Sequence, residues 1–228
     1  MNIIKYLLIT ILLITFSYAE KENVTLQLQW KHQFQFAGYY MAKEKGFYDA
    51  VNLKVKFLEY RPGINILEDV LSDKVNYATG RSSLINKRSH GKNIVLLTSI
   101  LQSSPLALVS KKDSGINTLK DFKNKKLTIT GNEAETSIFP MLLSQHINKR
   151  DMIINKSRKK LNDFINNKTD IITLYTSNQE YSLIKKGIQY NIFHPEENNF
   201  DFYDDILYTN EQESTVHKQR TLEFTQAS

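Results

Sequence analysis

The chain has 228 residues, of which 41% are hydrophobic and 24% are charged, and its formal net charge is +6. It contains 8 Gly, 4 Pro and no Cys. This composition excludes collagen-like and low-complexity chains, disulfide-stabilised scaffolds, and zinc or iron–sulfur sites built from cysteine. The length suits one large domain or two lobes of about 100 residues each, and either can bury a hydrophobic core.

The N-terminus has the pattern of an export signal. Lys5 supplies a positive charge, an apolar run extends from Tyr6 to Phe16, and Ser17-Tyr18-Ala19 fits a small-x-small cleavage site. The apolar run is shorter than the ~20 residues that a membrane span needs. We therefore predict a signal peptide over residues 1–19 and a periplasmic mature chain, with an uncleaved N-terminal anchor as the alternative.

The excess positive charge is dispersed along the chain. Basic pairs such as Lys111-Lys112 are interleaved with acidic pairs such as Glu196-Glu197. No basic stripe with interleaved aromatic residues is present, so the pattern favours a solvated surface over a nucleic-acid partner.

Strands and helices alternate along the first half of the mature chain. Residues 24–30 and 53–58 alternate apolar and polar side chains, as half-buried strands do. Further strands are predicted over 75–78 and 94–100, with helices over 36–45, 66–71 and 82–90. Such alternation is typical of a mostly parallel sheet with right-handed crossovers.

A second set of α/β units follows an extended apolar segment at 105–112. We predict strands over 126–130, 151–155, 170–174 and 206–208, and helices over 119–122, 136–147, 160–167, 180–186 and from 223 onward. The resulting fold class is α/β, with lobe I over 20–112, lobe II over 113–204, and a return crossover to lobe I over 205–228. The absence of a flexible linker between the two sets predicts a cleft between the lobes.

Residues 28–40 read LQWKHQFQFAGYY, and this segment resembles the periplasmic solute-binding family of thiamine-pyrimidine-precursor binders, whose relatives bind taurine and sulfonates. Similarity continues in order through 80–83, 119–123, 177–180 and 201–209. The WKHQFQFAGYY form is most similar to a subgroup used as extracytoplasmic sensor domains. The resemblance implies a type II periplasmic-binding fold with ligand between the lobes. Family members also extend further past the final helix, which predicts that the return segment here is truncated.

In lobe I the candidate ligand contacts lie where predicted strands end, because ligands of such sheets bind at the carboxyl ends of strands. An aromatic ligand can stack on an aromatic side chain, although aromatic residues also pack cores. We expect Phe34 and Phe36 to be core residues. Serines at a helix start can donate to a ligand or only cap the helix. The candidates are Trp30, His32, Tyr39, Tyr40, Ser82 and Ser83.

In lobe II the candidates also follow predicted strands. Glu133 and Thr136 come after the strand that ends at Thr130, and Asn178 and Glu180 come after the strand that ends at Leu174. A carboxylate there can accept a hydrogen bond from a ligand amine. The family carries an Asn-Glu pair after this last strand, but here Gln179 separates the two residues.

The same resemblance raises an enzymatic alternative, thiamine pyrimidine synthase. That enzyme requires a lysine that binds pyridoxal phosphate and a nearby histidine, and the matching positions here are Arg81 and Ile85. An arginine stays protonated and cannot serve as a Schiff-base amine. No histidine spacing fits a metal motif. We therefore expect no catalytic residue, no metal and no cofactor.

These observations predict a monomeric extracytoplasmic solute-binding protein. Its expected ligand is a small nitrogenous heterocycle, a thiamine pyrimidine precursor, and its expected partner is an ABC permease in the inner membrane. The first alternative is the ligand-sensing input domain of a truncated histidine kinase or diguanylate cyclase, and the second is the synthase.

Overall fold

A computed structural model describes residues 20–228. The signal peptide predicted over residues 1–19 lies outside the described residues. Within the described range, the helices are all too short or too polar to cross a membrane.

The described residues form two sets of strands and helices. The strands are β1 (Glu22–Gln27), β2 (Leu53–Leu58), β3 (Tyr77–Gly80), β4 (Ile94–Leu101), β5 (Leu106–Lys111), β6 (Lys126–Ile129), β7 (Ile153–Lys156), β8 (Ile171–Tyr175), β9 (Tyr190–Phe193) and β10 (Asp204–Asn210). The α-helices are α1 (Ala37–Glu44), α2 (Phe47–Ala50), α3 (Ile66–Leu71), α4 (Ser83–Ser89), α5 (Ile138–Ser144), α6 (Lys160–Ile165), α7 (Gln179–Lys185), α8 (Glu211–Val216) and α9 (Lys218–Ala227).

The strands form two five-stranded sheets, ordered β2-β1-β3-β10-β4 in lobe I and β7-β6-β8-β5-β9 in lobe II. In each sheet four strands share one direction, and one strand runs antiparallel to both of its neighbours. The reversed strands are β10 and β5, each of which follows a crossing from the other lobe. The predicted two-lobed α/β fold with mostly parallel sheets is therefore confirmed.

The first crossing between the lobes lies earlier than the sequence pattern indicated. Strand β5 pairs with β8 and β9, with Leu106 opposite Tyr175 and Leu108 opposite Phe193. The crossing therefore occupies residues 102–105 rather than residue 112. An apolar extended segment fits either sheet by its own pattern, and only its hydrogen-bonding partners assign it to lobe II.

The sequence prediction missed α2, β9 and α8, and it placed the final helix too late in the chain. The four residues of β9 show no alternation in burial, so period 2 gives no signal there. Asn210 caps the start of helix α8, and its side-chain oxygen accepts from the Glu213 backbone N–H at 2.7 Å. The final helix begins at Lys218 rather than Glu223. The core prediction for Phe34 was wrong, because that side chain is 91% exposed.

The C-terminal helices complete the core of lobe I. The Phe224 ring of α9 stacks on Tyr77 at 4.2 Å and on Tyr48 at 5.5 Å between ring centroids. Glu213 of α8 accepts from the Tyr77 hydroxyl at 2.8 Å and from the Arg220 guanidinium at 2.6 and 2.9 Å. These helices thus attach to the strand β3 that leads into the cleft.

Candidate functional site

A narrow cavity of about 50 Å³ lies between the lobes, where strands β3, β6 and β8 end. Parallel strands place their carboxyl ends at one edge of a sheet, and here those edges of the two sheets face each other. The cavity is lined by Trp30, Gln33, Gln35, Arg81, Thr130, Glu133, Lys160, Tyr175, Asn178 and Gln179.

A chain of hydrogen bonds crosses the cavity from one lobe to the other. Arg81, directly after β3, donates from Nε to the Tyr175 hydroxyl at 2.8 Å, and that hydroxyl donates to Asp204 Oδ2 at 2.7 Å. Burial alone disfavours the charge of Arg81, but Tyr175, Glu133 and Asp204 together raise its pKa above its usual range. No hydrogen bond joins the two Nη atoms of Arg81 to the described residues, so they are available as donors to a ligand.

A buried ion pair forms the lobe II side of the cavity. The side chains of Glu133 and Lys160 are 3% and 4% exposed, and the Lys160 ammonium contacts Glu133 Oε1 directly. Thr173 accepts from Lys160 at 2.8 Å and also donates to Glu133, while the Thr130 backbone N–H donates to Glu133 at 2.7 Å. Burial alone raises the pKa of Glu133, but Lys160 and Arg81 hold it below its usual range. Burial lowers the pKa of Lys160, and the neighbouring Glu133 opposes that shift. The Glu133 carboxylate is therefore ionised at neutral pH and faces Lys160 directly.

Trp30 supplies one aromatic ring to the lobe I side of the cavity. The rings of Trp30 and Tyr60 are stacked 5.5 Å apart at 12°. Arg158 of lobe II lies over the Tyr60 ring, with its guanidinium 5.3 Å from the ring centre. Such a contact is a cation–π interaction, worth about 0.5–1 kcal/mol at an exposed site. Stacking on Tyr60 thus fixes the orientation of the Trp30 ring at the cavity.

Comparison with known proteins places the chain in a family. Residues 33–228 match the family described as NMT1/THI5 like. The chain belongs to the NMT1/THI5-like family. The resemblance read from residues 28–40 is thereby confirmed.

Individual proteins similar to this NMT1/THI5-like chain share less than a quarter of its residues. A Haemophilus influenzae protein named for thiamine biosynthesis is 24% identical over 213 residues, which cover 91% of this chain and 67% of that protein. The alkanesulfonate-binding protein SsuA of Xanthomonas axonopodis pv. citri, solved with MOPS, has a TM-score of 0.69 at 14% identity, covering 92% of this chain and 74% of that one. An ABC uptake transporter substrate-binding protein of Streptococcus pneumoniae, solved with bound histidine, has a TM-score of 0.66 at 14% identity, covering 90% and 86%. The fold is therefore that of ABC substrate-binding proteins.

Three of the ligand contacts expected from sequence come together at the cavity of this NMT1/THI5-like chain. Trp30 and Asn178 line it from opposite lobes, and Glu133 lines it as part of the ion pair. The role of each in ligand binding remains a prediction.

The other expected contacts in lobe I lie elsewhere. Tyr39 is 1% exposed in the core, and the Tyr40 hydroxyl bonds to His32 Nδ1 at the surface. Ser82 is buried and Ser83 begins α4, and neither belongs to the cavity lining.

In lobe II, Glu180 accepts from the Tyr190 hydroxyl at 2.6 Å, and Thr136 is half-buried in the turn before α5. Neither residue belongs to the cavity lining. Their roles in ligand binding also remain predictions.

Several lining residues were not expected as ligand contacts. Lys160 begins a polar helix, so its sequence context predicts a solvated side chain. Tyr175 ends an apolar strand, so its context predicts a core residue. Arg81 was noted only for not being lysine. Only their positions could have indicated a place at the cavity. Arg81 follows a strand end, Tyr175 ends a strand, and Lys160 begins a helix.

The carboxyl group of Asp205 lies next to the cavity lining and has a shifted pKa. Gln35 donates to its Oδ1 at 3.1 Å, Gln29 donates to the same atom, and its Oδ2 has no partner among the described residues. Burial, followed by the neighbouring charge of Asp204, raises the pKa of Asp205 to about 7. The folded state thus favours a protonated carboxyl at this position.

The stability of the protein should therefore depend on pH through Asp205. Between pH 4 and 7 the folded state holds a proton that the unfolded state releases, so the free energy of unfolding falls as pH rises, by about 1.4 kcal/mol per unit. We expect Asp205→Asn to remove this contribution and to be the more stable protein at pH 8. Urea unfolding of both proteins from pH 4 to 8 measures the difference, and parallel curves would contradict the assignment.

Proposed function

We propose that this chain is an extracytoplasmic solute-binding protein that captures a small nitrogenous heterocycle in its interlobe cavity. The observation that carries the proposal is the aromatic ring of Trp30 in a cavity whose polar residues have balanced charges. The cations Arg81 and Lys160 are offset by the carboxylates of Glu133 and Asp204. The proposed ligand is a thiamine pyrimidine precursor.

The balance of charge distinguishes ligand classes. A sulfonate or phosphate needs cations that are not already neutralised, because burying an uncompensated anion is costly. Here Lys160 is paired with Glu133, and Arg81 lies near two carboxylates. An uncharged aminopyrimidine instead offers ring nitrogens as acceptors and amine N–H groups as donors. Arg81 Nη donors and the amides of Gln33 and Asn178 match those groups.

The synthase alternative fits the cavity less well. Pyridoxal phosphate requires a lysine with a free amine, and Arg81 occupies the position after β3. Lys160 is the lysine of the described cavity lining, and its ammonium is held by Glu133 and Thr173. These residues do not fit the cofactor, so the site supports binding rather than this chemistry.

The fold and the N-terminal pattern support the proposed location and partner. The S. pneumoniae neighbour is an ABC uptake protein, and residues 1–19 have the pattern of an export signal. The proposal is therefore a monomer that closes around its ligand by a hinge motion and delivers it to an ABC permease. A sensor domain would use the same cavity, with a signalling protein as the reader of the closed form.

The test is a thermal-shift panel on residues 20–228. The panel contains hydroxymethylpyrimidine, formylaminopyrimidine, thiamine, pyridoxal phosphate, taurine and an alkanesulfonate. A ligand at 100 times its Kd adds about 2.7 kcal/mol to the free energy of unfolding, which gives a clear shift in Tm. A shift with pyrimidines alone supports the proposal. A cooperative melt that only the sulfonates shift would refute the ligand class.

Trp30 is expected to contribute to affinity by stacking. Trp30→Ala should weaken pyrimidine binding by about tenfold, and Trp30→Phe should retain most of it, since an aromatic pair is worth about 0.5–1.5 kcal/mol beyond its buried area. Tyr203→Ala, at an exposed tyrosine outside the cavity, is the control. Isothermal titration calorimetry measures all three, and equal loss in the Phe and Ala variants would contradict stacking.

A further inference from the structure

A second cavity adjoins the first on the side where the chain crosses between the lobes. Its volume is about 460 Å³, against about 50 Å³ for the inner cavity. Gln33, Gln35 and Asn178 line both cavities. The Asn178 amide donates to Gln33 Oε1, and the Gln33 amide donates to Gln35. This amide partition, formed by residues of both lobes, separates two compartments of one cleft.

The inner compartment is far smaller than the outer one, at about 50 Å³ against about 460 Å³. A water molecule needs about 10–15 Å³ of such space, so the compartment has room for a few waters. Its lining carries the charged and polar groups described above, together with Trp30. It therefore suits the hydrogen-bonding head of a ligand, and the larger outer compartment has more space for a substituent.

The outer compartment has a different character. Phe34, Leu101 and Pro105 form apolar walls, with Ser103 and Ser177 at its polar edges. The Ser103 hydroxyl is already bonded to Glu196 and Asp201 at 2.8 and 2.7 Å. An apolar substituent would therefore gain free energy by burial against Phe34, Leu101 and Pro105.

Phe34 supplies an independent observation. It is 91% exposed, whereas Phe36, two residues later in the 3-10 helix Phe34–Phe36, is fully buried. An exposed phenyl ring at the edge of an apolar cavity gains free energy when a ligand covers it, because apolar surface leaves water. The position of this ring favours an apolar occupant of the outer compartment.

We propose that the outer compartment is a second subsite, and that the ligand is a heterocycle with a neutral ring or apolar substituent. The polar head occupies the inner compartment, and the substituent passes the amide partition formed by Gln33 and Asn178 to contact Phe34. This inference rests on the proposed function and narrows its ligand class from small nitrogenous heterocycles in general to those that carry a neutral ring or apolar substituent.

The experiment compares two probes with the same aminopyrimidine ring. One carries a 5-hydroxymethyl group, and the other carries a neutral 5-benzyl group. Wild-type protein is expected to bind the benzyl compound at least about tenfold more tightly. Phe34→Ala should reduce that preference about tenfold without changing the Kd of the hydroxymethyl compound. Phe47→Ala is the matched control, because Phe47 is also exposed on lobe I but lies outside both cavities.

The outcomes separate the two proposals. Equal affinity for both probes in the wild type would overturn the second subsite and leave the binding function in place. Equal weakening of both probes in Phe34→Ala would also overturn it, because the residue would then act on cleft closure. Binding of neither probe by a protein that melts cooperatively would overturn the proposed function itself, and the subsite with it.

Discussion

A Lys160→Met variant is expected to lose about 3–5 kcal/mol of free energy of unfolding. The substitution keeps the length of the side chain but leaves the Glu133 carboxylate buried without its ammonium partner. Thr173 and the Thr130 backbone N–H remain as hydrogen-bond donors, but neither supplies the lost charge. Urea unfolding monitored by circular dichroism measures the loss.

The control is to remove both charges. Lys160→Met combined with Glu133→Gln is expected to recover most of the lost stability, because no uncompensated buried charge remains. Lys92→Met breaks an exposed pair with Glu68, in which the side chains are 44% and 52% exposed, and should cost less than about 1 kcal/mol. A Lys160→Met loss as small as that of Lys92→Met would show that the pair at the cavity is solvated.

A Phe224→Ala variant should also destabilise the protein by about 3–5 kcal/mol. The Phe224 ring is fully buried and stacks on both Tyr48 and Tyr77, so its removal leaves a cavity between α9 and the sheet of lobe I. Chemical denaturation of the purified variant measures the effect.

The matched control for Phe224 lies on the same helix. Leu222 is 49% exposed, so Leu222→Ala is expected to cost far less than Phe224→Ala, at about 1 kcal/mol or below. Equal, small losses in the two variants would mean that α9 contributes little to the core. A large loss for Phe224 alone supports the C-terminal helices as part of lobe I.

Local sequence patterns predicted most helices and strands, because the periodicity and end of such an element depend on residues close together in the chain. The alternation of Leu53 to Leu58 marks a strand with one buried face, and Gly46 ends α1 with φ of +74°. Periodicity predicted strands less well where successive residues are equally buried. Strand β9 and the membership of β5 in lobe II depend on hydrogen bonds to segments far along the chain.

Sequence by itself determined the two-lobed α/β class, the family resemblance at residues 28–40, and Trp30, Glu133 and Asn178 as residues near strand ends. Only the tertiary structure decided that Arg81, Tyr175 and Lys160 line the same cavity, and that Tyr39 lies in the core while Phe34 lies in water. The physical reason is that periodicity reports which face of a segment is apolar. Which lobe covers that face, and which charges meet across a cleft, depends on long-range packing that no local pattern encodes.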